Sequence, residues 1–324
     1  MVIGSILHGA YGDYYEQALC LKHYRLTHPN DELKLFFASP HRRKELSVLD
    51  FSWASGTYDW QAAATEPVDR FFQFQLGDAE LKEEVLDKLP VEVQAKIGTD
   101  KHLPWHYLRK FHPFSDKFQL ALSPHGVERR QQIERELGLS DALFSRPTIG
   151  FLWRYRAPGG AIKNLWPSDP ADYVAKYSRA FRRLIERFGC HVLICGMRVK
   201  RTAENEHRVD NKYPEYGLDL PDEHATHLTG QSWACEMEIL ARCDLTLSNP
   251  SGFSEALYLR RGSDALVVDP PAHYVALLAK HRMPLFDFLS PAGMLWDMTI
   301  PHSEDRIVRM LSDRLQQKGY AARG

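Results

Sequence analysis

Asp13 follows a short apolar run and a glycine-bearing turn, His8-Gly9-Ala10-Tyr11-Gly12, and the pattern from Asp13 onward predicts a helix that it opens. A carboxylate at that place can take a proton from a hydroxyl as a general base. Glycines beside it let backbone N–H groups approach an oxygen-rich ligand at a helix N-terminus. The same residue has a purely local alternative, because Asp13-Tyr-Tyr-Glu16 has capping-box spacing and Asp13 would then simply cap the helix. The turn lacks the G-x-G-x-x-G spacing of a dinucleotide fingerprint, so a nicotinamide cofactor gains little support.

A second concentration of chemistry lies at Arg154-Tyr-Arg156-Ala-Pro-Gly-Gly-Ala-Ile-Lys163-Asn-Leu-Trp166-Pro167. Three cations beside a Gly-Gly pair, between a strand and a helix, suit an anion: arginine forks match phosphate oxygens and lysine adds a point charge. Cys195-Gly196-Met197 closes another strand, and Gly196 either lets a base or ribose lie against the backbone or makes an ordinary turn. Ser248-Asn249-Pro250-Ser251-Gly252-Phe253-Ser254-Glu255 links a strand to a helix through small hydrogen-bonding residues. Amides at that helix start would point at a phosphate, with the Ser251 and Ser254 hydroxyls as added donors. Glu255 either favours the helix dipole or reaches a ribose diol.

The stretch from His102 to Phe114 is rich in histidine and aromatic residues. His102, His106 and His112 raise the question of a metal, but Pro104 and Pro113 interrupt the helix that would align such ligands, and no metal site is assigned. Trp105 and His106, with His8 and Tyr11, are candidates for contacts to a sugar or apolar acceptor. Trp53, Tyr58 and Trp60 are further candidates, all of which could equally belong to a core.

These loops need elements to hold them. Val2–Leu7 reads as a strand, Tyr14, Ala18, Leu21 and Arg25 mark a helix, and 33–38 reads as a second strand, which makes a βαβ unit and favours a parallel sheet. Residues 41–145 are harder to read, with helical character at 79–96 and 127–139. After 145 the alternation sharpens: strand 148–153, an amphipathic helix from Tyr173 to Phe188 closed by Gly189, strand 191–195, helix 233–242, strand 244–248, helix 253–259, strand 265–269 and a last helix 304–317. The polar stretch 198–224 reads as a surface excursion. The expected fold class is α/β, two Rossmann-like domains facing a cleft, with boundaries at 1–145, 146–303 and a helix and tail at 304–324.

Composition agrees with a globular enzyme-sized chain. The 324 residues are 44% apolar and 26% charged, and 41 Lys+Arg against 42 Asp+Glu leave a net charge of -1. At about 150 residues per domain, two domains are expected. Neutrality gives no global field for nucleic acid, and membrane contact is expected to be peripheral at most. The five cysteines include no C-x-x-C pair and are expected to be reduced and mostly buried. The opening residues do not read as a signal peptide and no long apolar run occurs, so a cytoplasmic protein is expected.

Taken together, Tyr11-Gly12-Asp13, Lys163-Asn-Leu-Trp166-Pro167 and Leu228-Thr229-Gly230…Ser248-Asn249-Pro250-Ser251-Gly252 resemble elements of the GT-B glycosyltransferases, specifically the heptosyltransferase-like group, glycosyltransferase family nine. The match covers most of 148–270 and the first 40 residues, and little of 41–145. Pro250 stands where the family has Asp, Phe253 where it usually has Pro, and the Lys-to-Trp spacing is one residue longer. The resemblance implies sugar transfer from a nucleotide-sugar donor to a hydroxyl acceptor (small molecule, glycan or glycolipid), with inversion, without a metal and with no cofactor beyond the co-substrate. It implies an acceptor-side first domain and a nucleotide-sugar second domain. Asp13 would be the base, with Lys163 and the Ser251-Gly252 loop on the diphosphate; Gly12, Arg154, Arg156, Gly196, Asn249, Ser254 and Glu255 complete the donor-side set. Arg154 and Arg156 fit no family element, and a fucosyltransferase-like relative, with arginines clamping a GDP-sugar, is an alternative. Two further readings stay open on the same fold: a sugar-nucleotide epimerase or hydrolase, and a non-catalytic nucleotide-sugar-binding protein.

Overall fold

A computed structural model describes residues 1–9, 11–72, 88–96, 119–153, 170–195, 218–228, 230, 232–249, 257, 264–268, 295–296 and 303–323; of Tyr11, Gly12, Asp13, Glu16, Pro170, Ala171, Val267, Leu295 and Trp296 the backbone alone is described. The chain divides into two units, Met1–Glu128 and Arg129–Gly324.

In the first unit, β1 (Val2–Leu7) runs into α1 (Tyr11–Thr27) and on to β2 (Glu32–Phe37). Then come α2 (Pro40–Leu46), β3 (Gly56–Asp59), a 3-10 turn (Trp60–Ala64), β4 (Arg70–Phe72) and the short helix α3 (Val91–Lys96). The strands form a parallel sheet in the order β3-β2-β1-β4. Tyr14, Ala18 and Leu21 of α1 are buried, as their spacing demands of an inward stripe. Ile6, Phe36, Val68, Phe71, Leu89 and Val93 form a core, with Tyr58 and Trp60 packed against it. Tyr58 also stacks on Phe36, ring centroids 5.3 Å apart. Those two aromatics therefore serve the core.

The second unit contains α4 (Pro124–Glu136, which spans the division), α5 (Asp141–Phe144), β5 (Thr148–Leu152), α6 (Pro170–Phe188), β6 (His191–Cys195), β7 (Ala225–His227), α7 (Trp233–Leu240), β8 (Leu245–Ser248), β9 (Ala265–Val267), β10 (Leu295–Trp296) and α8 (Glu304–Gln317). Its strands are again parallel, in the order β10-β9-β8-β5-β6-β7. Every residue of β5, β6 and β8 is buried, as expected of a parallel sheet covered on both faces. The stripe of α6 (Tyr173, Tyr177, Phe181, Leu184, Phe188) packs with Phe151, Trp153 and the Ile307/Leu311/Leu315 face of α8. Gly189, at φ 64°, takes the left-handed turn that ends α6.

The amino edge of this sheet is held by a polar cluster. Arg146 approaches Nδ1 of the buried His191 ring at 2.7 Å, and Nε2 lies 2.9 Å from Thr226 Oγ1. Arginine can only donate, so Nδ1 carries the lone pair and Nε2–H donates to Thr226. Burial, and secondarily the Arg146 charge, push the His191 pKa down to about 4. Nearby, Asp244 accepts from Thr148 N–H at 2.8 Å, Thr148 hydroxyl at 3.0 Å and Tyr320 hydroxyl at 2.9 Å.

The structure corrects several expectations. Asp13 is the third residue of α1, which starts at Tyr11, so it does not occupy the helix-opening cap position; the left-handed Gly9, φ 99°, completes the turn early. Strands β3, β4, β7 and β10 were not expected: they are two to four residues long, and no apolar stretch in them exceeds two residues. α7 ends at Leu240, two residues earlier than its pattern. Helix 253–259 apart from Leu257, and the larger parts of 79–118 and 198–224, lie outside the described residues. All five cysteines are buried and none is in a disulfide. Among the described residues, no helix is long and apolar enough to cross a membrane.

Candidate functional site

In both sheets every strand points the same way, so the loops after the strands leave from a single edge of each. Backbone hydrogen bonds continue the ladders right up to those loops. Ala38 N–H reaches the Leu7 carbonyl at 2.9 Å, Trp153 N–H the Cys195 carbonyl at 3.0 Å, Leu228 N–H the Ile194 carbonyl at 2.8 Å, and Val268 N–H the Ser248 carbonyl at 2.9 Å. The chain is thus fixed at the last residue before each candidate loop, and the loops start from set relative positions within their own sheet.

At the edge of the first sheet, His8 follows β1 and its side chain is buried. Its backbone is clamped by Gln17, two helical turns away on α1: Gln17 Nε2 donates to the His8 carbonyl at 2.7 Å, and His8 N–H donates to Gln17 Oε1 at 3.3 Å. Gln17 is fully buried, so this amide pair works in a low-dielectric setting and ties the start of the turn to the helix that carries Asp13. Tyr11, Gly12 and Asp13 occupy the first turn of α1. A helix's first turn presents unpaired N–H groups and the positive end of its dipole, which suits an anionic residue there.

At the edge of the second sheet, Trp153 follows β5 and stacks among Phe151, Tyr173 and Tyr177, with centroids 5.6, 5.2 and 4.7 Å away. This aromatic block anchors the chain one residue before Arg154. Asn249 follows β8 and is fully buried. The structure thus brings His8, Tyr11, Gly12 and Asp13 together at one edge, and places Asn249 at the corresponding edge of the other sheet. Arg154, Arg156, Lys163, Gly196, Ser251, Gly252, Ser254 and Glu255 lie outside the described residues, as do Trp105, His106 and the other two histidines of that stretch. Among the described residues, no group of three His, Cys, Asp or Glu side chains is placed to hold a metal.

Two contributors were not foreseen. Gln17 is one; its signal is a long amide placed within the otherwise buried face of α1. Glu236 on α7 is the other. It is 1% exposed, and the thiol of Cys195, the last residue of β6, lies 3.7 Å from its Oε2. Its carboxyl group is thus buried beside the carboxyl end of β6. In sequence it stands three residues from Trp233 and four from Leu240, a lone charge on an apolar stripe, which is the pattern that marks it.

No protein-family model and no curated protein sequence matches this chain. Solved structures do. The ADP-heptose LPS heptosyltransferase II of E. coli superposes with a TM-score of 0.57 at 13% identity, covering 98% of this chain and 100% of that one. A glycosyltransferase family 9 protein from Veillonella parvula DSM 2008 gives 0.55 at 12% identity, covering 98% and 97%. At such identities the likeness is one of fold, and it extends over nearly the whole chain. The chain therefore has the GT-B architecture, two Rossmann-like α/β units, and resembles the heptosyltransferase-like glycosyltransferases in its fold as in its loop motifs.

Proposed function

We propose that the protein is a glycosyltransferase that moves a sugar from a nucleotide-sugar donor to a hydroxyl acceptor, with inversion and without a metal ion. The observation that carries this reading is the position of Asp13 in the first turn of the helix after β1, at the carboxyl edge of the first sheet. The loop motifs and a fold shared with a protein that is itself an ADP-heptose heptosyltransferase support it. In this scheme Asp13 takes the acceptor hydroxyl proton as that oxygen attacks the anomeric carbon. The bond from that carbon to the diphosphate breaks, and the leaving group gains negative charge. Arg154, Arg156, Lys163 and the amides of the Ser251-Gly252 loop stabilise that charge, a role a divalent ion fills elsewhere. Gly12, Gly196, Asn249, Ser254 and Glu255 complete the donor side, and His8, Tyr11, Trp105 and His106 the acceptor side.

A thermal-shift screen across ADP, UDP, GDP, dTDP and CMP tests the reading. A bound nucleotide stabilises by mass action, about 2.7 kcal/mol at a hundredfold excess over Kd. We expect one diphosphate to raise Tm, and ADP is the first to try, given the nucleotide carried by the E. coli fold neighbour's donor. No shift with any of the five would overturn the proposal. So would consumption of the donor at full rate without an acceptor.

A further inference from the structure

β6 is entered through Gly189 and Cys190, and three basic side chains from distant parts of the chain close on these two residues and on His191. The Arg323 guanidinium fills the space where a Cβ on Gly189 would stand, and Arg323 N–H bonds to the Arg187 carbonyl at 2.6 Å. His224 ends the 3-10 turn Asp222–His224; its Nδ1 lies 2.9 Å from the Cys190 carbonyl, and so carries a proton and donates. Arg146 meets His191 Nδ1 at 2.7 Å and the Glu223 carbonyl at 3.5 Å. Consecutive Cα atoms are about 3.8 Å apart, so the three groups converge on a stretch of backbone no longer than roughly 8 Å.

No carboxylate answers these charges among the described residues. Arg146 and Arg323 form no ion pair there, and what Arg146 does meet is neutral, an imidazole nitrogen and a backbone carbonyl. Asp222 and Glu223 stand in the neighbouring turn, exposed and paired with neither arginine. Burial pushes the Cys190 thiol up to about 12, and the charges acting on it are those of Arg146 and Arg323. On His191 they are those of Arg146 and His224. Arg146 Nε is buried and meets no acceptor among the described residues. Two guanidiniums held beside one short segment repel, and a charge with a donor shut off from both water and acceptors is poorly compensated. An oxyanion relieves both, and the guanidinium fork matches phosphate oxygens.

We propose that this corner is an anion site: the phosphate group of inorganic phosphate or of a phosphorylated small molecule sits between Arg146 and Arg323, with the His224 ring at its side. A strand rises about 3.3 Å per residue, so the site lies roughly 13 Å along β6 from Cys195, at the amino edge, and shares no residue with the loops of the proposed donor site. Arg146 precedes β5 and Arg323 belongs to the tail after α8. A bound dianion therefore joins that tail to the start of the central strand, removes the repulsion between the two arginines and stabilises the second unit by mass action.

Histidine-ring NMR on the full chain tests it, with inorganic phosphate and glycerol 3-phosphate as probes and chloride at matched ionic strength as the control. His191→Gln and His224→Gln assign the two ring signals. We expect one or both probes to shift both signals saturably, and to raise the His191 titration midpoint above about 4, because the anion offsets the Arg146 charge. The tighter of the two probes identifies free phosphate or a monoester as the occupant. Arg323→Gln, which leaves the Tyr320 and Lys318 bonds of the tail in place, should weaken binding about fivefold, the scale of one exposed charge pair. Arg146→Gln should weaken it about tenfold or more. Nucleoside diphosphate affinity should stay within about twofold in both variants. Ring signals that do not move with either probe, that move equally with chloride, or that titrate unchanged in Arg323→Gln overturn the site. Wild-type protein that binds phosphate here and no nucleotide leaves this site standing and removes the transferase; nucleotide binding with unmoved ring signals does the reverse.

Discussion

His191 gives the fold a pH dependence whose sign and size follow from its surroundings. Its ring is buried with Arg146 at 2.7 Å from Nδ1, and its folded pKa is pushed from 6.5 down to about 4. Between those values the unfolded chain binds a proton that the folded chain refuses, so stability falls as pH drops through 6.5 and the loss is complete near 4. At 1.36 kcal/mol per unit the shift corresponds to about 3 kcal/mol, and solvent around the half-buried Arg146 reduces this to about 2 kcal/mol. Carboxylates elsewhere titrate in the same range, so the informative quantity is the difference between wild type and His191→Gln. The Gln amide can offer an oxygen to Arg146 and an N–H to Thr226 without titrating. Denaturant unfolding of both proteins at intervals from about pH 7.5 to about pH 4.5, followed by tryptophan fluorescence, should show wild type losing about 2 kcal/mol relative to the variant. A difference that stays flat with pH, or an NMR titration placing His191 above about 6, would refute the reasoning.

Other outcomes concern the proposed chemistry and its supports. Asp13→Asn should lower turnover by a factor of about 10²–10⁴ while the nucleotide Kd measured by calorimetry stays within about twofold; an unchanged rate removes Asp13 as the base. Lys163→Ala should weaken nucleoside diphosphate binding about tenfold or more and nucleoside binding hardly at all, the loss of one charge-assisted contact. Equal weakening of both contradicts the phosphate role. Gln17→Leu deprives the His8 N–H and carbonyl of their buried Gln17 partners and should cost about 2–3 kcal/mol in unfolding free energy, with turnover lowered as the β1–α1 turn loosens. A variant as stable as wild type would show that the clamp contributes nothing.

What could be read from residues alone depended on how much of an element's burial is periodic. β1, β6 and α8 were expected at the bounds they occupy: two are short, mostly apolar strands, and the third has a strong stripe behind a serine whose hydroxyl accepts from Arg306 N–H at 3.2 Å. β3 escaped notice because Gly-Thr-Tyr-Asp is half-buried throughout and forms only by pairing with β2. β7, Ala-Thr-His at the sheet's end, has the same character. Such strands are made by the neighbour's unpaired edge, a tertiary cause that leaves little trace in side-chain type. At the candidate site, the loop compositions pointed to the carboxyl edges, but the supports did not announce themselves. Gln17 and Glu236 are polar residues set within buried helix faces, a signal of spacing, but the partners they meet, His8 and Cys195, emerge only from the fold.

The tail of the second unit bears on how this protein comes into being. Tyr320 bonds to Asp244, Lys318 to Asp264, and Arg323 N–H to the Arg187 carbonyl. Asp244 in turn holds Thr148, where the central strand of the sheet begins. These are closures over long stretches of chain, which slow folding because loop entropy is lost before the contacts form. The latch on the central strand of the second sheet therefore closes only once residues 318–323 are made, after the described strands of that sheet. Until it closes, the apolar strands of that unit lack these bonds, and units that close late stay exposed longest to contacts with other chains.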